Sequence, residues 1–304
     1  MKGGIEMKRI GLFLGCNIPL RRPDIEYSMR YVLNKLGVEI VELDGATCCP
    51  AFGTMPSIDL VGWCAGSAWN MAIAEEKGVD MITGCGSCYG SLNEARYHME
   101  KHPEIKEKVN EILGKVGKKY KGVVKIWNFY NYIYEEIGIE EVKKKVRYPL
   151  NDIICGTHVG CHNLWPSKAY STNDDNVFKP TRIKEICEAV GGKAPWYSTI
   201  LDCCGMGALG SLAKEKSWAL WRRKVNKMIE EINPELFVTG CSSCLLRYDN
   251  DQALMKKEGL IDFEIPAVHI AQLLALVMGA EPEKAVGLAE VPIDGIITKI
   301  KGGK

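Results

Sequence analysis

Asp80–Cys88 runs DMITGCGSC, and Leu236–Cys244 runs LFVTGCSSC. In each, an apolar, β-branched run stops at a glycine, Gly84 or Gly240, directly before a C-x2-C pair. That pattern predicts a buried strand running into a loop. Thirty-five residues separate Cys85 from the adjacent pair Cys48 and Cys49, and thirty-six separate Cys241 from the pair Cys203 and Cys204. The surroundings match as well, DGATCCPAFG against LDCCGMGALG. Further out stands one more cysteine on each side, Cys16 thirty-one residues before its pair and Cys161 forty-one before its own. Five cysteines therefore recur in one order, and the chain is a repeat.

The remaining sequence follows the same period. Asp59–Glu76 and Ser211–Glu231 carry apolar residues at three-to-four spacing and predict helices. Val123–Gly138 and Ile265–Gly279 each predict a short strand followed by a helix. The opening MKGGIEMKRIGLFLGC predicts a first strand; its apolar stretch is short for an export signal, and Met7 is an alternative start. Strands alternating with helices favour parallel sheet. We therefore expect an α/β protein of two pseudo-symmetric, Rossmann-like halves, residues 1–148 and 149–304, joined by the charge-rich segment Ile139–Leu150. Cysteine-bearing loops at strand ends would lie on one edge of each sheet, where open α/β sheets place their ligands.

Composition narrows the function. Lys plus Arg is 39 against 38 for Asp plus Glu, a net charge of +1, which leaves no electrostatic footprint for nucleic acid. The apolar run Ile270–Ala280, interrupted by Gln272, is far short of the roughly 20 residues of a membrane-spanning helix. A cytoplasmic, reducing location is expected, where thirteen cysteines point to metal binding or catalysis rather than disulfides. Thiolates select zinc or iron–sulfur clusters. Both a structural zinc and an ordinary four-iron cluster take four thiolates, so each set of five has one in excess and invites a bridging role. Cys155 lies six residues ahead of Cys161 and is an alternative ligand, but VGCHNLWPS matches LGCNIPLRR and favours Cys161. Cys155, Cys64 and Cys187 read as small buried hydrophobes.

The doubled C-x(31 to 41)-CC-x(35 to 36)-C-x2-C pattern, with Gly53 and Gly205 after the pairs, resembles the CCG-domain family, and within it the B subunits of soluble coenzyme B–coenzyme M heterodisulfide reductases. The resemblance covers nearly the whole chain. It implies that Cys16, Cys48, Cys49, Cys85 and Cys88 hold one noncubane [4Fe-4S] cluster. By the same match Cys161, Cys203, Cys204, Cys241 and Cys244 hold another, with the disulfide clamped between the two. It implies a catalytic subunit that reduces this heterodisulfide to two thiols in methanogenic energy metabolism. The implied partners are the C subunit, which carries [4Fe-4S] clusters, the flavin-bearing A subunit, and a hydrogenase or formate dehydrogenase in a larger electron-bifurcating complex. FAD is expected only on a partner, because this chain has neither a flavin fingerprint nor a ferredoxin-type cysteine run. An electron-relay subunit of another CCG-containing oxidoreductase, of lactate or glycolate type, is the alternative, and a zinc-stabilised module fits worst.

Coenzyme B carries a phosphate and a carboxylate and coenzyme M a sulfonate, so the resemblance also requires basic residues near the cysteines. Arg21, Arg22, Lys168 and Arg247 follow cluster cysteines within seven residues and are the candidates, with His162 as a substrate-facing group. His158 and His162 form H-x3-H beside Cys161, a spacing also compatible with zinc ligation. His98, His102 and His269 read as structural. The seven tryptophans, Trp63, Trp69, Trp127, Trp165, Trp196, Trp218 and Trp221, read chiefly as core, with Trp165 and Trp196 as candidate cavity walls. Lys143–Arg147 reads as a solvated face.

Overall fold

The first strand, β1 (Arg9–Leu12), pairs in parallel with β2 (Glu39–Glu42) on one side and β3 (Met81–Thr83) on the other, and β3 pairs in parallel with β4 (Ile126–Asn128). The sheet order is β2-β1-β3-β4. A second parallel sheet, β5-β6-β7, is built from Cys155–His158, Leu236–Thr239 and Ala267–His269. Here the counterpart of β2 has shrunk to a bridge between Ile154 and Lys193. Thus β5, β6 and β7 repeat β1, β3 and β4 in an α/β fold of two pseudo-symmetric halves. Every residue of β3 and β6 is buried, as parallel strands covered on both faces must be. The computed structural model describes residues 8–302 apart from 173–174, 208–209 and 211, so Met7 and Ser211 lie outside the described residues.

Helices cover the sheets: α1 (Asn17–Arg21), α2 (Pro23–Lys35), α3 (Met55–Ile58), α4 (Leu60–Lys77), α5 (Gly86–Lys101), α6 (Pro103–Gly114), α7 (Phe129–Tyr132) and α8 (Ile139–Lys145) in the first half. The second half has α9 (Arg182–Ala189), α10 (Lys214–Ile232), α11 (Ser242–Tyr248), α12 (Asn250–Lys257), α13 (Ile270–Val277), α14 (Pro282–Val286) and α15 (Asp294–Gly302). Their ends follow local chemistry. Pro23 opens α2 with Asp24 and Glu26 in its first turn. Asp59 caps α4 by accepting from the Gly62 N–H at 2.8 Å, and Gly78, with φ of 64°, ends it in the left-handed conformation. After β4 and β7 the chain turns directly into α7 and α13, capped at equivalent positions by Asn128 and His269. Beyond α7 the helix widens into a π-helix, Ile133–Ile137. The charged connector is itself helical over α8, where Lys143 reaches Glu140 at 2.7 Å and Lys144 reaches Glu141 at 2.6 Å.

The halves exchange helices. α2 of the first half packs on α13 and α14 of the second, while α9 of the second packs on α7 and α8 of the first. Buried polar contacts lock the first of these junctions. Arg22 reaches Asp24 and Asp249, both at 2.8 Å, and the Gln272 amide donates to Asp24 Oδ2 at 2.8 Å. At the other junction Arg182 donates to Asn131 Oδ1 at 3.1 Å and pairs with Glu135. The buried apolar residues of both halves form one continuous cluster. Part of the longer spacing between Cys161 and Cys203 is taken up by two 3-10 turns, Cys161–Asn163 and Ser167–Ala169, which pack on α5.

Candidate metal centre

Eight of the ten matched cysteines lie in loops or helix starts beyond the C-terminal ends of parallel strands, and Cys203 and Cys204 lie in the loop after the Ile154–Lys193 bridge. Cys85 and Cys241 occupy the residue preceding α5 and α11, after β3 and β6, and Cys88 and Cys244 sit in the first turns of those helices. Cys16 immediately precedes α1. It follows Gly15, whose φ is +65° and where an added Cβ would stand 2.5 Å from Cys88 Sγ. Gly160, at φ of +92°, plays the same part before Cys161 and faces the Cys241 Cβ and Cys244 Sγ. Only glycine brings the backbone this close to the sulfurs. The adjacent pairs close each set: Cys49 Sγ lies 3.3 Å from Cys88 Sγ, and Cys204 Sγ lies 3.4 Å from Cys244 Sγ. Cys48 neighbours Cys49 and Cys16, and Cys203 neighbours Cys161 and Cys204.

The two sets also meet. The Gly86 N–H donates to Cys241 Sγ at 3.1 Å, and the Ser242 N–H donates to the Gly84 carbonyl at 3.0 Å. Asn17 Nδ2 donates to Ser243 Oγ at 2.7 Å, and Asn163 Nδ2 to the Gly240 carbonyl at 3.0 Å, so each first-cysteine loop is tied to the C-x2-C turn of the second half.

This crowding splits the thiols. S–H donation from Cys161, then from Cys204, holds Cys203 well below an ordinary thiol, and donation from Cys48, then Cys88, does the same for Cys49. Cys85 is likewise held well below an ordinary thiol, first by Cys241 and then by Cys88. Their donors move the other way: Cys48 is raised by Cys49, Cys88 by Cys49 and Cys85, and Cys161 by Cys203, each with burial adding to the effect. Five thiolates this close cannot coexist without a compensating positive centre. The all-thiolate donor set fits iron–sulfur binding.

The cysteine-rich domain model of the CCG family matches the chain twice, at residues 10–93 and 155–248. An Archaeoglobus profundus protein, named for its likeness to the B subunit of heterodisulfide reductase, is 48% identical over 98% of this chain and 100% of its own. The B subunit of the ferredoxin/F420H2-dependent CoB-CoM heterodisulfide reductase of Methanosarcina acetivorans is 33% identical over 95% of each chain. The chain belongs to the family of heterodisulfide reductase B subunits. At 25% identity, over 94% of this chain and 98% of its own, stands the 8-methylmenaquinol:fumarate reductase membrane anchor subunit of Wolinella succinogenes. Among solved structures, a hypothetical protein from Helicobacter pylori shares the fold with a TM-score of 0.70 at 16% identity; the match covers 92% of this chain and 51% of that one. In this B-family chain no helix among the described residues is long and apolar enough to cross a membrane.

The five candidate substrate residues of this family member separate by environment. Arg22 is buried and committed to Asp24 and Asp249, and Arg247 is buried against Asp251, at 2.6 Å, and Ser217. Both guanidiniums are engaged in buried ion pairs, Arg22 with two carboxylates and Arg247 with one. Arg21 and Lys168 are exposed, the latter 5.7 Å over the Tyr97 ring. His162 reaches across to the first half, its ring 3.4 Å from that of Phe52 just after the Cys48–Cys49 pair, with Glu94 Oε1 3.8 Å from Nδ1. Burial pushes this imidazole down to about 4.

Cys155 and Cys187 are buried neighbours of each other, and Cys64 is buried beside Ala95, so all three pack as core residues. Trp63 and Trp221 are fully enclosed, whereas Trp165 and Trp196 are exposed. Sequence reasoning missed Lys224 and saw in His158 only a zinc-like spacing. Lys224 is buried in α10, and its ammonium donates to the carbonyls of Thr199, Ile200 and Asp202 at 2.8, 2.8 and 2.9 Å, holding the loop that delivers Cys203. His158 ends β5 with one ring nitrogen within 4.8 Å of Cys204 Sγ and Cys244 Sγ. Aligning LFLGC with THVGC places His158 opposite Phe13, a difference between the repeats that could have marked it.

Proposed function

We propose that this chain is the catalytic subunit of a CoB-CoM heterodisulfide reductase and reduces the mixed disulfide to two thiols. The observation that carries this reading is the pair of five-cysteine sets that abut through Cys85 and Cys241. In it Cys16, Cys48, Cys49, Cys85 and Cys88 hold one noncubane [4Fe-4S] cluster, and Cys161, Cys203, Cys204, Cys241 and Cys244 hold the other. When bound, such a pair supplies one-electron chemistry on both sides of a sulfur–sulfur bond. The chain's own residues deliver ten thiolates, bring the two sets together and present His162, Arg21 and Lys168 to an anionic substrate. Residues 1–148 and 149–304 are the two cluster-bearing domains. Electrons arrive from the C subunit, with ordinary [4Fe-4S] clusters, and from the flavin-bearing A subunit, coupled to a hydrogenase or formate dehydrogenase in the methanogen cytoplasm.

Iron and sulfide analysis with electron paramagnetic resonance on anaerobically prepared protein tests the cluster assignment. Two four-iron clusters give about eight irons per chain and negligible zinc. Four irons, or stoichiometric zinc, in fully loaded protein rejects it. The relay alternative draws support from the Wolinella relative, whose name places it in a fumarate reductase. Turnover of the purified complex on the heterodisulfide, with none on a 2-hydroxy acid, separates the two readings, and the higher identity of the heterodisulfide reductase relatives favours the first.

A further inference from the structure

His158 is 2% exposed, and neither ring nitrogen has a hydrogen-bond partner among the described residues. Its ring stacks on Tyr248 at 5.2 Å, so one face is closed by an aromatic. A neutral imidazole always carries one N–H, and burying that donor unpaired costs about 1–3 kcal/mol. Cys204 Sγ and Cys244 Sγ, within 4.8 Å of a ring nitrogen, are acceptors at hand, and they become strong ones as thiolates. The first half has no such donor at this place. At the matching position stands Phe13, also buried, whose ring lies beside the Gly15 turn that faces Cys88 Sγ. Two cysteine sets alike in number and order thus differ in the polarity of this enclosed neighbour.

We infer that His158 is a positioning residue that donates a hydrogen bond to the Cys204 or Cys244 sulfur and gives the second cluster a higher reduction potential than the first. A hydrogen bond to a cluster sulfur withdraws negative charge and favours the reduced, more negative form, which is how such bonds set cluster potentials. Phe13 offers only apolar surface, so the first cluster lacks this stabilisation. The second set is then the one reduced first, and the pseudo-symmetric site is electrically one-sided. This inference rests on the two-cluster reading above.

Potentiometric titration of the anaerobically loaded full chain, followed by electron paramagnetic resonance, tests it. Wild type should show two midpoints; His158→Phe should lower the upper one, His158→Gln, which keeps an N–H donor, should retain it, and Phe13→His should raise the lower one. Fully loaded His158→Phe protein with both midpoints unmoved overturns the inference. Should that variant fail to load, 15N-histidine labelling of wild type and of His158→Gln decides: pulsed resonance should detect a weak histidine nitrogen coupling at one cluster that is present in wild type and lost in His158→Gln. No coupling, or one strong enough for direct ligation, overturns it. Protein that binds no iron at all would overturn the two-cluster reading itself, which is a different result from loaded clusters with unmoved midpoints.

Discussion

Gly15 has no room for a side chain: an added Cβ would stand 2.5 Å from Cys88 Sγ, on a backbone already at φ of +65°. Gly15→Ala should therefore push Cys88 out of place and lose about half of the iron, leaving the second set loaded. Gly37, at φ of +75° with nothing within 4 Å, is the control; Gly37→Ala should cost only about 1 kcal/mol in denaturant unfolding and keep all the iron. Arg22 makes the opposite point. Its substitution by alanine strands Asp24 and Asp249 as buried carboxylates, and a loss of about 3–5 kcal/mol in unfolding free energy is expected. The two matched cysteine sets could be paired from their spacing because covalent order alone carries that pattern. The role of Arg22 could not, since its partner Asp249 is 227 residues away and only the fold brings them together.

Strands β3 and β6 were readable because an apolar, β-branched run ending in glycine has few other local solutions. Helix α8 was not, because a short charged run looks solvated until its Glu–Lys pairs and the buried Val142 are seen to stabilise it. The caps of α7 and α13 show how equivalent elements diverge. Asn128 accepts from the Tyr130 N–H at 3.1 Å, and His269 Nδ1 accepts from the Ala271 N–H at 3.2 Å while Gln272 accepts from the His269 N–H at 2.8 Å. Burial holds His269 down to about 4, below its unfolded value near 6.5. A group depressed on folding contributes stability that is complete above the unfolded value and is lost as pH falls through the folded one. Stability should thus decline between pH 6.5 and 4 by on the order of 3 kcal/mol from this residue. His269→Asn, which copies the cap of α7, should remove that slope when the unfolding free energies of the two proteins are compared at matched pH.

Exchanged helices make the molecule a single unit. α2 buries its apolar face on the other half, so residues 1–148 expressed alone should remain insoluble or partly unfolded, and co-expression with residues 149–304 should recover soluble, protease-resistant protein. Catalysis should be as indivisible as folding. Serine is a harder, poorer ligand than thiolate, so Cys49→Ser and Cys204→Ser should each lose one cluster and each abolish heterodisulfide cleavage. Cluster counting by spectroscopy followed by the disulfide assay checks this, and near-normal turnover in a one-cluster variant would assign that half a structural or relay role.

The crossed packing of α2 on α13 and of α9 on α7 has the form of an isologous dimer interface, in which one patch meets its own copy across a twofold axis. In a true dimer every substitution at such an interface is felt twice, once on each side. Here a single polypeptide joins the two copies, so a change on one side leaves its mate untouched. That freedom is visible in Phe13 against His158, in Asn128 against His269 and in a β2 that one half keeps as a strand and the other reduces to a bridge. Fusion lets a symmetric scaffold carry unequal neighbours around two matched sets of sulfur.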